Sequence, residues 1–210
     1  MVKMDHMAYM NHDLFPTPFT EVNVNGVVDN EQVIDFVYNY MQNSETGKQK
    51  HKWGLFTESY CTYSFDRHIL DHPELNNLKE VFKQSISWYC KFVGIKNQRI
   101  STSWFNYTYD GGKVNPHRHT ETAVSCVYYP SFPEGAANLK LQNPWFTHIR
   151  EQKDYFWADT DRLTPYTQQD YEIQIKEGYM YLFPGWAVHY SDESESGERI
   201  VVAANCVSYK

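Results

Sequence analysis

Apolar positions along the chain keep two different periods. Between residues 30 and 43, Val33, Ile34, Val37, Tyr40 and Met41 recur at the spacing of one helix face, with Asp29 or Asn30 available as the cap. A second stripe, Leu75, Leu78, Val81, Phe82, Tyr89, Phe92 and Val93, ends at Gly94. Asp71 stands where a cap would, and Glu74 where it would complete a capping box. Both helices are expected to pack on the outside of a sheet. Ahead of them, residues 14–19 form an apolar segment punctuated by Pro16 and Pro18. The residue before each proline is pushed out of the helical region, so this segment is expected to run extended along a sheet edge.

From Arg99 onward the period is two. Strands are expected over 101–109, 122–129, 138–141, 171–175, 179–183, 187–190 and 199–209, divided by turn signals at 110–112, 130–135, 177–178, 184–185 and 196–197. This order predicts a mainly β fold, a double-stranded β-helix of the jelly-roll or cupin-like kind, with supporting N-terminal helices. A single domain over 1–210 is expected, with 1–98 as the strand and supporting helices and 99–210 as the barrel core. The stretch 143–170 keeps no clear period, and a functional lid and a packed surface loop both remain open for it.

Composition sharpens the class. The chain has 210 residues, 41% of them hydrophobic and 17% aromatic, which favours strands and allows a core of ordinary size. A formal charge of −7 with no basic stripe argues against nucleic acid as the partner. Cys61, Cys90, Cys126 and Cys206 are scattered without a Cys-x-x-Cys pair, as expected of reduced thiols. No long apolar run occurs, and Asp5, His6 and Asn11 lie where a signal peptide needs its apolar stretch. A soluble cytoplasmic protein without membrane binding is therefore expected.

The candidate chemistry lies in His117-Arg118-His119, followed far downstream by His189 and then Arg199. Two imidazoles two residues apart on a strand share a face, and a barrel can bring a remote third one to them. Two registers are open. His117, His119 and His189 make a three-histidine site, whereas His119, Glu121 and His189 make the two-histidine, one-carboxylate triad common for non-haem iron. The first is favoured because a strand ending near His119 leaves 120–122 for the turn. Glu121 would then serve beside the ligands, accepting a ring N–H. His6, His12, His51, His68, His72 and His148 have no partner at ligand spacing and are expected to be solvated. Arg199 shares its strand face with Val201, Ala203 and Asn205, and a buried guanidinium there would require an anion. Asn106 and Trp104 share another face, and Trp186 follows Pro184-Gly185 at a possible pocket border.

With Leu14-Phe15-Pro16-Thr17-Pro18, the His117-Arg118-His119 element, the strand Ser125-Cys126-Val127-Tyr128-Tyr129, Leu182-Phe183-Pro184 with His189, and Arg199 with Asn205, the chain resembles the 2-oxoglutarate and Fe(II)-dependent oxygenases common in marine phages and bacteria. The resemblance spans nearly the whole chain. It implies a prolyl-hydroxylase-like barrel, Fe(II) and 2-oxoglutarate as cofactors, and Arg199 with Tyr129 on the distal carboxylate of the cosubstrate, Asn106 and Asn205 lying nearby. The family's own His-x-His pattern points to His117, and a small or amide residue usually stands at the place of Glu121. The implied reaction is hydroxylation of a small molecule or a peptide, with Trp104 and Trp186 at the substrate pocket. Two other classes compete: a cupin-like three-histidine enzyme that does not use 2-oxoglutarate, and a non-catalytic metal-binding barrel. Arg199 separates the first of these from the oxygenase, and succinate formation separates the second.

Overall fold

The computed structural model describes residues 10, 15–43, 56–146, 164–195 and 198–209. Along them the order is β1 (Thr20–Asn23), α1 (Asn30–Asn43), β2 (Phe56–Cys61), α2 (Asn76–Val93), β3 (Gln98–His117), β4 (Val124–Ser131), β5 (Leu139–Gln142), β6 (Asp170–Ile173), β7 (Tyr179–Pro184), β8 (His189–Ser191) and β9 (Arg199–Ser208). The strands form one antiparallel sheet in the order β1-β7-β4-β9-β3-β8-β5-β6, with β2 also paired to β3. The sheet curls into the half-barrel of a double-stranded β-helix, as expected.

Both faces of the central strands are covered, which is why β9 reads as the unbroken apolar run Ile200-Val201-Val202-Ala203-Ala204. Alternate residues go opposite ways. Phe105, Cys126, Tyr128, Leu182 and Val202 pack under the helices, while Tyr129, Tyr181, Phe183 and Val201 pack inside the curl. Burying Phe82 of α2 completely on the first layer contributes about 1.5–3 kcal/mol.

The first helix occupies the expected residues, capped by Asp29, whose Oδ1 accepts the Gln32 N–H at 3.2 Å. The second ends as expected at Gly94, in the left-handed region at φ 79°. Its start differs. Residues Ile69–Asp71 and Pro73–Leu75 form two short 3-10 turns, and α2 begins only at Asn76, so Asp71 and Glu74 make no capping box. His72 precedes Pro73 and is held extended, which prevents one helix from running through. Asp71 instead pairs with Lys79 at 2.8 Å. Phe92 is 61% exposed and stacks on Trp88 rather than joining the core.

Other expectations are corrected in the strands. The edge strand paired to β7 is Thr20–Asn23, just after the expected segment, because its alternate prolines cannot donate to a ladder. β2 was not anticipated. The Asp110-Gly111-Gly112 signal is no turn, since β3 runs through it with a register shift on β2. A Cβ on Gly112 would lie 2.8 Å from the Glu58 carbonyl oxygen, so this glycine serves close strand approach. His72 is half-buried, with Nε2 3.1 Å from Asp66 Oδ2, whereas His68 is exposed. Gln142 pairs with Asp170, so the 143–170 stretch joins the β5–β6 pair. Its residues 147–163, the 196–197 turn signal, and His6, His12, His51 and His148 lie outside the described residues. The four cysteines are free and buried. No helix among the described residues is long and apolar enough to cross a membrane.

Candidate metal centre

The ladder between β3 and β8 sets His117 directly opposite His189 as Cα partners. His119 lies beyond the end of β3, on the loop that turns at residues 120–121. Its N–H donates to the Gly185 carbonyl at 2.8 Å, and the Gly185 N–H donates to Ala123 at 3.2 Å. A Cβ at Gly185 would sit 2.1 Å from the Thr122 carbonyl oxygen, so this close approach requires glycine. The result is a cluster in which one nitrogen from each of His117, His119 and His189 lies within 4.8 Å of the others.

Each ring is fixed from behind. Nδ1 of His117 meets the Asn115 carbonyl at 2.9 Å, and Nδ1 of His189 meets the Ala187 carbonyl at 3.0 Å. Nδ1 of His119 meets Asn205 Oδ1 at 2.6 Å and Ser125 Oγ at 3.1 Å. A carbonyl oxygen only accepts, so each Nδ1 carries the proton and each Nε2 keeps a lone pair for a ligand. Burial lowers all three pKa values, aided at His119 and His189 by the charge His117 would carry. His119 falls to about 4 and His189 to about 3. Three neutral imidazoles with oriented rings form a donor set that suits an iron ion. Glu121 is exposed in the turn and outside this cluster, because the strand stops at His117 and the shared face ends with it. The place beside the ligands expected of it, accepting a ring N–H, is filled at His119 by Asn205.

Behind the histidines the cavity runs to Arg199, which is 3% exposed. Its Nη1 donates to the Ala137 carbonyl at 2.5 Å, and Nη2 donates to Ser191 Oγ at 3.2 Å and Thr108 Oγ1 at 3.4 Å, while Nε is buried without a partner. No carboxylate among the described residues pairs with it. Burial pulls its pKa down, against a smaller opposing effect of Tyr129. A buried cation without a counter-ion costs several kcal/mol, which an incoming carboxylate would offset. Tyr129 lines the same end, its phenol pushed up to about 12 by burial and so neutral and able to donate. Asn106 lines the cavity too, with a buried, unpartnered Oδ1.

Two expected residues lie elsewhere. Asn205 is committed to His119 and does not line the Arg199 cavity, and Trp186 is 48% exposed on a turn outside it. Trp104 does line it, edge-on to His119 at 5.9 Å. Ser125, Thr108 and Ser191 were missed. Strand alternation carried the signal, since Ser125 shares a face with Tyr129, Thr108 with Asn106, and Ser191 with His189.

Residues 102–205 match the model of a family described as "Putative 2OG-Fe(II) oxygenase". No curated protein matches in sequence. Among solved structures, a Pseudomonas putida prolyl-4-hydroxylase is similar with a TM-score of 0.57 at 9% identity, over 92% of this chain and 94% of that one. The viral collagen prolyl hydroxylase of Paramecium bursaria Chlorella virus-1, in its 2-oxoglutarate complex, gives 0.55 at 10% identity, over 90% and 94%. HygX from Streptomyces hygroscopicus, with nickel and 2-oxoglutarate bound, gives 0.57 at 11% identity, over 91% and 83%. At these identities the likeness is one of fold.

Proposed function

We propose that this chain is a 2-oxoglutarate-dependent oxygenase, an oxidoreductase that hydroxylates a small-molecule or peptide substrate with release of succinate and CO2, a reading supported by the family match over residues 102–205. The observation that carries this reading is the buried Arg199, which pairs with no carboxylate among the described residues and lines the same cavity as the three histidines. His117, His119 and His189 would hold Fe(II), and Arg199 with Tyr129 would hold the distal carboxylate of 2-oxoglutarate, Asn106 lining the space between. When bound, iron and cosubstrate would supply the oxidising power, with decarboxylation of 2-oxoglutarate to succinate and CO2 coupled to insertion of one oxygen atom of O2 into a substrate C–H bond and of the other into succinate.

The protein's own work is geometric. Nδ1–H bonds behind each imidazole fix the rings, one nitrogen of each lying within 4.8 Å of the others before any ligand arrives, which lowers the ordering cost of binding. The Ser191 and Thr108 hydroxyls and the Ala137 carbonyl hold the guanidinium in place while leaving Nε free. Tyr129, Leu139 and Val201 exclude water around it, so a charge-assisted contact there is stronger than in solvent. We take the whole chain as one domain, with residues 1–98 supporting the barrel, in a cytoplasmic protein of the phage and marine bacterial type that the sequence resembles.

The all-nitrogen cluster also suits a cupin-like enzyme that does not use 2-oxoglutarate. One experiment separates the two: anaerobic titration of the Fe(II) protein with 2-oxoglutarate, followed by its metal-to-ligand charge-transfer absorbance, then assay of succinate in air. A saturating band and succinate support the oxygenase. Iron binding without either would overturn it in favour of the alternative.

A further inference from the structure

The inner face of the curl continues past the metal centre, away from Arg199. Along β9 and β3 the cross-strand partners are Arg199 with Thr108, Val201 with Asn106, Ala203 with Trp104 and Asn205 with Thr102. Arg199 and Asn205 therefore stand about 20 Å apart along the strand, with the histidines near the Trp104 and Asn205 levels. At the Asn205 end an open groove is bounded by His119, Thr102, Tyr63, Arg67, Arg118 and Glu121.

Three observations make this groove a site. Arg67 is preorganised, since its Nε donates to the Tyr63 carbonyl at 2.8 Å and its guanidinium carbon lies 4.5 Å over the Tyr63 ring. Tyr63 in turn packs edge-on against Trp104 at 4.9 Å, which ties the arginine to the wall of the metal cavity. Arg118 stands between the two histidines of its motif, and neither arginine forms an ion pair among the described residues. Thr102 Oγ1 is buried in the same groove without a hydrogen-bond partner. A chain of formal charge −7 thus presents two arginines that form no ion pair among the described residues, with Glu121 the acidic residue of the lining, beside a candidate metal-binding histidine.

We propose that this groove is the substrate subsite and that Arg67 and Arg118 select a substrate carrying an anionic group, a phosphate or a carboxylate. This rests on the oxygenase reading above, because only then does the substrate lie across the metal from the Arg199 pocket. The groove would bind the anion while the neighbouring C–H bond reaches toward the Nε2 atoms of the histidines.

The test uses the full chain loaded with Mn(II) and saturated with 2-oxoglutarate. Inorganic phosphate, followed by 31P relaxation, and acetate, followed by its methyl 1H relaxation, are titrated into the parent, Arg118→Gln and the Arg67→Gln/Arg118→Gln pair. Saturable paramagnetic relaxation in the parent, weakened on the order of tenfold in the double variant, is expected for a charge-assisted contact. The stronger of the two probes identifies the anion. Arg118→Gln touches no described partner and guards against a folding artefact, and 2-oxoglutarate affinity should be unchanged in both variants. Equal relaxation in parent and variants would place the anion on the metal and overturn the arginine groove, as would no saturable binding. If the parent binds neither Mn(II) nor 2-oxoglutarate, the oxygenase reading fails. Amide shifts of residues 118–122 on adding phosphate to the metal-free protein then decide the groove alone, their absence overturning it.

Discussion

Asn205 Oδ1 lies 2.6 Å from Nδ1 of His119, so a strand in the middle of the sheet fixes the orientation of a ring carried by a loop. His117 and His189 each bond to a carbonyl two residues before them on the chain. His119 is therefore the ring most dependent on a distant partner. Asn205→Leu should keep the fold and weaken Fe(II) or Co(II) binding about 10- to 100-fold, the usual loss on removing such a partner. Asn205→Asp, which still accepts the ring N–H, should recover most of it. Competitive metal titration measures both, and equal affinities in parent and Asn205→Leu would leave the contact without a role.

His189→Ala should abolish stoichiometric Fe(II) binding and leave circular dichroism unchanged. The residue is buried, but it lies at the end of the ladder rather than in the layer under the helices. Full iron content in a folded variant would remove His189 from the centre.

A pair of variants tests the ligand set. His117→Ala should lose iron and Glu121→Ala should retain it, because the carboxylate is exposed in a turn outside the cluster. The reverse outcome would establish the carboxylate triad in its place.

Arg199→Leu should keep iron and lose 2-oxoglutarate. Removing a charge-assisted contact in a dry pocket costs on the order of 2 to 5 kcal/mol, roughly 30-fold to several-thousand-fold in affinity. Thermal stability should fall less than for an ordinary buried truncation, since the shorter apolar side chain also removes a buried cation that pairs with no carboxylate among the described residues. Anaerobic titration and a melting curve read the two effects separately, and undiminished affinity would move the clamp elsewhere.

Gly185→Ala should weaken metal binding without touching a ligand. Its Cβ would meet the Thr122 carbonyl oxygen at 2.1 Å, forcing apart the loop that holds His119 through the Gly185 carbonyl. Metal titration beside a melting curve checks this, and parent-like affinity would show that the loop absorbs the clash.

Local pattern carried the two helices, the seven later strands and the His117–His119 pair, because each depends on periodicity or on residue types at short spacing. Where the outcome depended on what lay opposite, sequence reasoning failed. The Gly111-Gly112 pair looks like a turn until β2 is set against it, and Phe92 belongs to the apolar stripe of α2 although its end of that face turns away from the sheet. Asp71 and Glu74 have the spacing of a capping box, yet Pro73 between them excludes it.

The sequence by itself determined the fold class, His119 and His189 as candidate ligands with His117 favoured over Glu121 beside them, and the presence of an arginine on the last strand, since alternation and residue types are properties of the chain. Only the tertiary structure decided that Asn205 bonds to His119 and does not line the Arg199 cavity, that Trp186 lies outside that cavity, and that Arg67 and Arg118 meet at one groove. These depend on contacts between residues far apart in sequence. Such contacts are set by sheet register and curl, which no local spacing encodes.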